Sequence, residues 1–397
     1  MSIDWDFYLS EMSVSDLHGG GLTLQRVLGA DLDRVRLFVH VRRFGTDYPV
    51  ARRFESRCLD MPLWTEAETI RNMIGRRAAA WLSNRKPIVQ MHALRVARAV
   101  CARNSVSGKA LLGLACPQGE VSLYALEALA KRHPVEYVTW FMDDHLVRWR
   151  NGNWQYPPHI EELLGRHLER ARAVFVISPA MGRFFHDRFG IDSEVLFGPA
   201  DSEGDPQWEV RHDDGCIRLG YFGALGPWQL DALGLLAKGL ASANASLDIY
   251  TGNSSLPEPL QLSQVKLRGR VHPSEVPSAM RQYDAVVLPV SFKPAMRNMS
   301  GLNIATKMSE SLASGTVTLL IGPRYAAMTQ FLEGSGAAVI VSDYEVTAVL
   351  DAVARIRDRT ERNAVLQSAR NLVQTRLSTA AMREIWQNGA ARLSCCT

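Results

Sequence analysis

The sequence predicts an α/β protein built from two doubly wound, Rossmann-like domains. Three observations carry that reading. At 397 residues the chain exceeds the length at which one hydrophobic core stops growing, so two domains of similar size are expected. Short apolar runs alternate with longer stretches of helical periodicity throughout, the pattern of parallel strands joined by crossover helices. That alternation runs twice, on either side of PADSEGDPQWEVRHDDG at 199–215, where Pro, Gly and acidic residues cluster without periodicity, as in a linker.

In the first series WDFYLS, VRLFVHV, PIVQMH, ALLGLAC, VEYVTWFM, AVFVIS and SEVLFG read as strands, and GEVSLYALEALAKRH and PHIEELLGRHLERA as helices. In the second, IRLGYFG, SLDIYTG, VKLRGRV, DAVVLPV, TVTLLIG and AAVIVS read as strands. The expected division is residues 1–205, 206–378, and a final helical segment at 379–397 that crosses back to the first domain. Ligands of such sheets bind outside the carboxyl ends of the strands, so two sheets facing each other would enclose one cleft.

The formal charge is +4, and all the excess lies N-terminally: residues 1–200 hold 26 Lys and Arg against 22 Asp and Glu, the remainder 19 against 19. Arginines concentrate in RVRLFVHVRRFGTDYPVARRFESR and TIRNMIGRRAAAWLSNRK. Such stretches attract anionic lipid headgroups or a phosphate-bearing acceptor, or are simply a solvated surface. The small excess and the lack of a basic-aromatic motif argue against nucleic acid. Six cysteines without a CxxC pair or a metal-ligand spacing fit reduced thiols in the cytoplasm. The terminal Cys395-Cys396 pair lacks a prenylation motif. No run reaches the length of a membrane span and no signal peptide is evident. The expected location is cytoplasmic, with peripheral contact to the inner face of the cell membrane as an option.

Several short motifs could carry chemistry. Gly19, Gly20 and Gly21 follow the first strand and open a helix, where backbone amides can approach a phosphate or simply make a tight turn. They are not the dinucleotide fingerprint, since Leu24 stands where its third glycine belongs. YVTWFMDDHLVRW ends a strand with Asp143, Asp144 and His145, offering a general base or a contact to a transferred group. A helix-capping turn is the alternative. Trp140, Trp149, Trp154 and Tyr156 surround this point and could pack on the face of a sugar, or form core. Further on, LGYFGALGPWQLDAL reads strand, loop and helix, placing Gly223 and Gly226 where backbone would meet ligand, with Trp228 and Asp231 beyond them.

NIATKMSESLASGTVTLLIG opens a helix ahead of a buried strand. At about 100° per residue, Lys307, Glu310 and Ser314 share a stripe opposite Met308 and Leu312. A lysine in the first helical turn opposes the helix dipole unless both bind an anion, which a diphosphate supplies. Glu310 could then accept from ribose hydroxyls. A surface ion pair is the alternative.

Taken together, these blocks resemble a known family. VKLRGRVHPSEVPSAMRQYDAVVLPVSF, ATKMSESLASGTVTLL and LGYFGALGPWQLDAL resemble the nucleotide-binding half of GT-B glycosyltransferases, family 4 and its bacterial polysaccharide neighbours. ARAVFVISPAMGRFFHDRFG is similar to the segment near the end of their first domain. The resemblance implies a GT-B fold and a transferase using a UDP-, GDP- or dTDP-sugar as co-substrate, with no cofactor and no metal. The acceptor would be a saccharide or a lipid-linked glycan. Carried over by residue, Lys307 meets the donor diphosphate and Glu310 the ribose, while the main chain at Arg270 and Val271 flanks the nucleobase. Gly223 lines the phosphate pocket, faced by the Gly19 to Gly21 loop. One departure stands out: Leu302 occupies the place of a second glutamate common in retaining members, which leaves stereochemistry open. An inverting reaction would use Asp143 or Asp144 as base, and in a retaining one His145 would contact the donor sugar. A nucleotide-sugar epimerase of the same fold and a catalytically silent scaffold are the rival readings.

Overall fold

The computed structural model describes residues 3–41, 49–104, 109–202 and 215–396. It divides into two units, Met1–Leu196 with Arg383–Thr397, and Phe197–Met382.

In the first unit the strands are β1 (Phe7–Ser10), β2 (Phe38–His40), β3 (Cys58–Asp60), β4 (Leu111–Cys116), β5 (Val135–Phe141), β8 (Ala173–Val176) and β9 (Glu194–Val195), with a hairpin of β6 (Arg148–Arg150) and β7 (Asn153–Gln155) outside the sheet. The sheet runs β3-β2-β1-β4-β5-β8-β9, every pairing parallel. β1, β2 and β8 are buried along their whole length and β4 and β5 along most of theirs, which is why they read as near-continuous apolar runs: helices cover both faces. Those helices are α1 (Gly19–Leu28), α2 (Glu68–Ile74), α3 (Arg76–Ser83), α4 (Lys86–Arg103), α5 (Glu120–Ala130), α6 (Pro158–Arg170) and α7 (Pro179–Phe189).

One expected strand is a helix. PIVQMH forms the start of α4, with Pro87 in its first turn, where a missing N–H costs nothing. The deciding pattern runs on past those six residues: Val89, Ala93, Val96, Ala97 and Val100 are buried at helical spacing. β3 and the β6–β7 hairpin, at three residues per strand, are too short to show alternation in the sequence.

The second unit contains β10 (Ile217–Phe222), β11 (Ala245–Tyr250), β12 (Val265–Gly269), β13 (Ala285–Pro289), β14 (Val317–Ile321) and β15 (Val339–Val341). They form a parallel sheet in the order β12-β11-β10-β13-β14-β15. Its helices are α8 (Leu230–Leu240), α9 (Val276–Met280), α10 (Arg297–Ser300), α11 (Lys307–Ala313), α12 (Ala327–Glu333), α13 (Val346–Arg357) and α14 (Arg359–Leu372). Leu219, Leu247, Val287 and Leu319 of the sheet meet Leu233 and Leu236 of α8 and Val349 and Val353 of α13 in one core. Strand order reverses between β1 and β4 in one unit and between β10 and β13 in the other, and such switch points are where doubly wound sheets bind ligands.

Residues 203–214, most of the expected linker, lie outside the described residues, as do Arg42 and Arg43 of the first arginine-rich stretch. The last helix, α15 (Thr379–Ala390), places Trp386 in the core of the first unit. Its ring centroid lies 5.8 Å from that of Trp5 and 5.3 Å from that of Phe175, and its indole N–H donates to Asp31 at 2.7 Å.

Candidate functional site

In the second unit the turns after β10 and β13 are tied together at the switch point. The Ser291 N–H donates to the Trp228 carbonyl at 2.9 Å, and the Phe292 N–H to the Asp231 carboxylate at 2.9 Å. Phe222 is the last residue of β10, and its carbonyl accepts from Lys307 Nζ at 2.8 Å. Gly223 follows, and here a side chain is excluded by geometry: a Cβ would stand 2.6 Å from Lys307 Nζ and 2.7 Å from Tyr221 Oη. The glycine therefore makes room for the lysine, and Gly223 and Lys307, 84 positions apart in sequence, meet at the carboxyl edge of the sheet.

Lys307 keeps part of its surface exposed while its ammonium reaches back to the end of β10. Desolvation there lowers its pKa, and the negative charge of Glu310 opposes that shift. An ammonium has three donors, and among the described residues Phe222 takes one. Two remain for an anion. α11 is only seven residues long, so the cation rather than the helix end supplies the positive field.

Met308 and Leu312 are buried and Glu310 is half-buried, as helical spacing predicts. Ser314 departs from the polar stripe. It is buried, its hydroxyl donating to the Ser311 carbonyl at 2.6 Å and accepting the Thr316 N–H at 3.2 Å, so it terminates the helix with Gly315 at φ +75°.

Near the ends of β11 and β12, the Thr251 N–H donates to Gly269 at 2.8 Å, and the Arg270 guanidinium lies over Gly252, where a Cβ would come within 2.4 Å of its Nε. Val271 follows, half-buried. Phe222 and Tyr250 stack at 4.7 Å with 4° between planes, and Tyr283 bonds both Tyr250 Oη and Asp248 at 2.9 Å. These contacts tie the ends of β10 and β11 to Tyr283, just ahead of β13. Gly226 donates its N–H to Gln229 at 3.1 Å and lies against the Trp228 ring, 44% exposed.

Two groups here carry no signal in the sequence. Asn303 is buried, and neither atom of its amide has a partner among the described residues. Arg297 stacks over Tyr325 at 4.4 Å, its pKa lowered by desolvation. A lone Asn in GLNIATK and an Arg in PAMRNMS have no motif to mark them. Leu302 is buried as an ordinary core residue.

In the first unit Gly19, Gly20 and Gly21 form the first turn of α1. A Cβ on Gly20 would meet Met12 Sδ at 2.2 Å, and one on Gly21 the Ser15 carbonyl oxygen at 2.2 Å. The Gly21 N–H already donates to His18 Nδ1 at 3.1 Å, and burial lowers the His18 pKa, which keeps that nitrogen an acceptor. Close packing of the chain on itself accounts for Gly20 and Gly21. At the β1/β4 switch point the Glu11 carboxylate accepts from the Gln118 and Ser122 N–H groups, each at 2.9 Å, so an anion already sits at the start of α5.

Asp143, Asp144 and His145 follow β5 and have different surroundings. Asp144 is buried; one oxygen accepts from the Leu146 and Val147 N–H groups at 2.9 and 3.1 Å, the other from the Tyr156 hydroxyl. Both oxygens are engaged in fixing the turn into the β6–β7 hairpin. Asp143 is half-buried and its carboxyl pKa is raised, chiefly by desolvation, against the lowering effect of His145. His145 is exposed. Trp140 is fully buried and Tyr156 nearly so, which removes both as sugar platforms, whereas Trp149 and Trp154 pack edge to face across the hairpin at 5.1 Å.

No protein-family model matches the sequence, and no curated protein matches it by sequence. Solved structures do match. HepE of Anabaena, solved with UDP and glucose, aligns over 98% of this chain and 99% of its own, with a TM-score of 0.61 and 11% identity. A glycosyltransferase from Rickettsia africae aligns over 98% and 97%, with a TM-score of 0.61 and 9% identity. The chain has the GT-B fold. TarM of S. aureus, solved with fondaparinux, α-GlcNAc-glycerol and UDP, matches 70% of this chain at a TM-score of 0.53 and 13% identity, and the chain spans 55% of TarM's length. Within the GT-B fold, Phe222, Gly223 and Lys307 stand at the carboxyl end of the switch-point strand of the second Rossmann-like unit.

Proposed function

We propose that the protein is a glycosyltransferase that takes a sugar from a nucleoside-diphosphate donor and passes it to a saccharide or lipid-linked acceptor. The observation that carries this reading is the Lys307 ammonium, held at 2.8 Å by the Phe222 carbonyl beneath a glycine turn with two donors unspent. It lies at the switch point of a fold whose structural neighbour HepE was solved with UDP.

Lys307 binds the diphosphate, in the ground state and more strongly as charge grows on the departing nucleoside diphosphate. Glu310 accepts from the ribose, and the backbone at Arg270 and Val271 flanks the base. Asn303, four residues before Lys307 in the chain, keeps an unspent amide for the donor. Gly226 leaves room for the Trp228 ring in the turn after Gly223. The cationic lysine makes a divalent cation unnecessary.

Acceptor binding falls to the first unit. With Leu302 in place of the glutamate common in retaining relatives, inversion is favoured, and Asp143 is the base that removes the acceptor hydroxyl proton. Asp144 holds the turn on which Asp143 and His145 sit.

The test is release of nucleotide from UDP-, GDP- and dTDP-sugars with a panel of oligosaccharide and lipid-linked acceptors, in the presence of EDTA. Acceptor-dependent release that persists with EDTA and is lost in Lys307→Ala supports the proposal. A changed free sugar formed without acceptor would indicate an epimerase. Absence of binding to any nucleotide would leave a scaffold.

A further inference from the structure

The two most exposed large apolar side chains among the described residues are Met73, at 74%, and Trp81, at 60%. They lie eight residues apart on the consecutive, contacting helices α2 and α3, and Ile74, next to Met73 in the chain, is 38% exposed. No residue of α2 is buried. Gly75, at φ +83°, turns the chain directly from α2 into α3, a conformation that favours glycine.

α3 is anchored along one line only. Ala79 and Ser83, one turn apart, are buried, and the Ser83 hydroxyl lies 2.7 Å from that of Thr65. At about 100° per residue, Arg77 and Trp81 fall on the opposite side of the helix. The Arg85 guanidinium continues that line, lying 3.6 Å over the Trp81 ring. The exposed line thus carries an indole with an arginine four residues to either side, and the adjoining α2 exposes Met73 and Ile74. From residue 68 to 103 the chain carries eight Lys or Arg and a single acid, Glu68.

We infer that the α2–α3 face is a docking surface for an anionic phospholipid bilayer. Apolar side chains flanked by arginines suit the boundary between acyl chains and headgroups, where the Trp81 indole, Met73 and Ile74 insert and the guanidinium groups stay with the phosphates. The charge favours a lipid surface over a second copy of this chain, because a two-fold pairing of this face would set arginines against arginines. No described helix is long and apolar enough to cross a membrane, so the contact is interfacial. The inference does not depend on the proposed glycosyl transfer.

The experiment is cosedimentation of the full chain at low salt with vesicles of phosphatidylcholine alone and of phosphatidylcholine mixed about three to one with phosphatidylglycerol. Two variants accompany it: Met73→Ser with Ile74→Ser and Trp81→Ser, and Arg71→Gln with Arg76→Gln and Arg77→Gln. The chain should bind the mixed vesicles and not the neutral ones. Each variant should lose about tenfold or more of that partition while keeping the parent melting temperature and nucleotide affinity. Brominated lipid should quench Trp fluorescence in the parent more than in Trp81→Phe. Failure of the parent to bind mixed vesicles, or undiminished binding by both variants, would overturn the inference. Self-association abolished by both variants would also overturn it and assign the face to a second copy.

Discussion

Lys307 and Gly223 form one device at the scale of residues, and each tests the other. Replacing Lys307 with Ala removes a charge-assisted contact of about 1.5–3 kcal/mol, or roughly ten- to a hundredfold in nucleotide affinity, with little change in stability because the residue is exposed. Gly223→Ala should give a similar loss by a different route, since the added methyl would occupy the place of the ammonium. Titration calorimetry reads both. The neighbouring aspartates should separate cleanly. Asp144→Ala strands two backbone N–H groups and the Tyr156 hydroxyl and should destabilise the fold by about 3 kcal/mol or more. Asp143→Asn should leave melting and donor binding unchanged and abolish turnover. Because burial raises the Asp143 pKa, and a base works only when deprotonated, the wild-type rate should fall as pH drops through that raised value. Nucleotide release measured against pH checks this.

At the scale of elements, the β6–β7 hairpin and α11 show what local sequence does and does not reveal. The hairpin hangs on the Tyr156 hydroxyl and Asp144, so Tyr156→Phe should lower the melting temperature by a few degrees and hasten proteolysis within residues 148–155, a loss of about 1–2 kcal/mol. Limited digestion followed by mass spectrometry would detect it. Nothing in DDHLVRWRNGNWQY announces that coupling, because the two partners lie twelve residues apart and only the fold brings them together. In the second unit β13 and β14 are legible because inner strands of a parallel sheet covered on both faces leave near-continuous apolar runs, and β11 and β12, toward one edge, by alternation of buried and more exposed residues. Lys307 and Glu310 are legible too, because a cation at the mouth of a helix breaks a local rule. α4 misleads at its start: PIVQMH, taken alone, has the composition of a strand, and its helical period emerges only over the following ten residues. The part that Gly223 plays is visible only once Lys307 is folded against it.

At the scale of the whole molecule, two buried imidazoles set the response to acid. Burial, with help from the charge of Arg95, pushes the His92 pKa down to about 4, and burial alone pushes His167 down to about 3. Below the ordinary histidine value the unfolded chain binds protons that the fold does not, so stability rises with pH across the window from about 4 to 6.5 and falls as pH drops through it. Thermal melts between those values should show the midpoint falling with acid, and His167→Phe should flatten the dependence. Trp386 packs against Trp5 and Phe175 and donates to Asp31, so α15 is integral to the first unit. The proposed donor site belongs to the second unit, and there the central claim can be tested most directly. The measurement is calorimetric titration of the full chain with UDP in EDTA, then with GDP, dTDP and ADP, each repeated with Lys307→Ala. One nucleotide should bind selectively, with an affinity at least about tenfold weaker in the variant. Equal affinity in parent and variant, or no binding of any nucleotide by the parent, would contradict the assignment of Lys307 to a donor diphosphate.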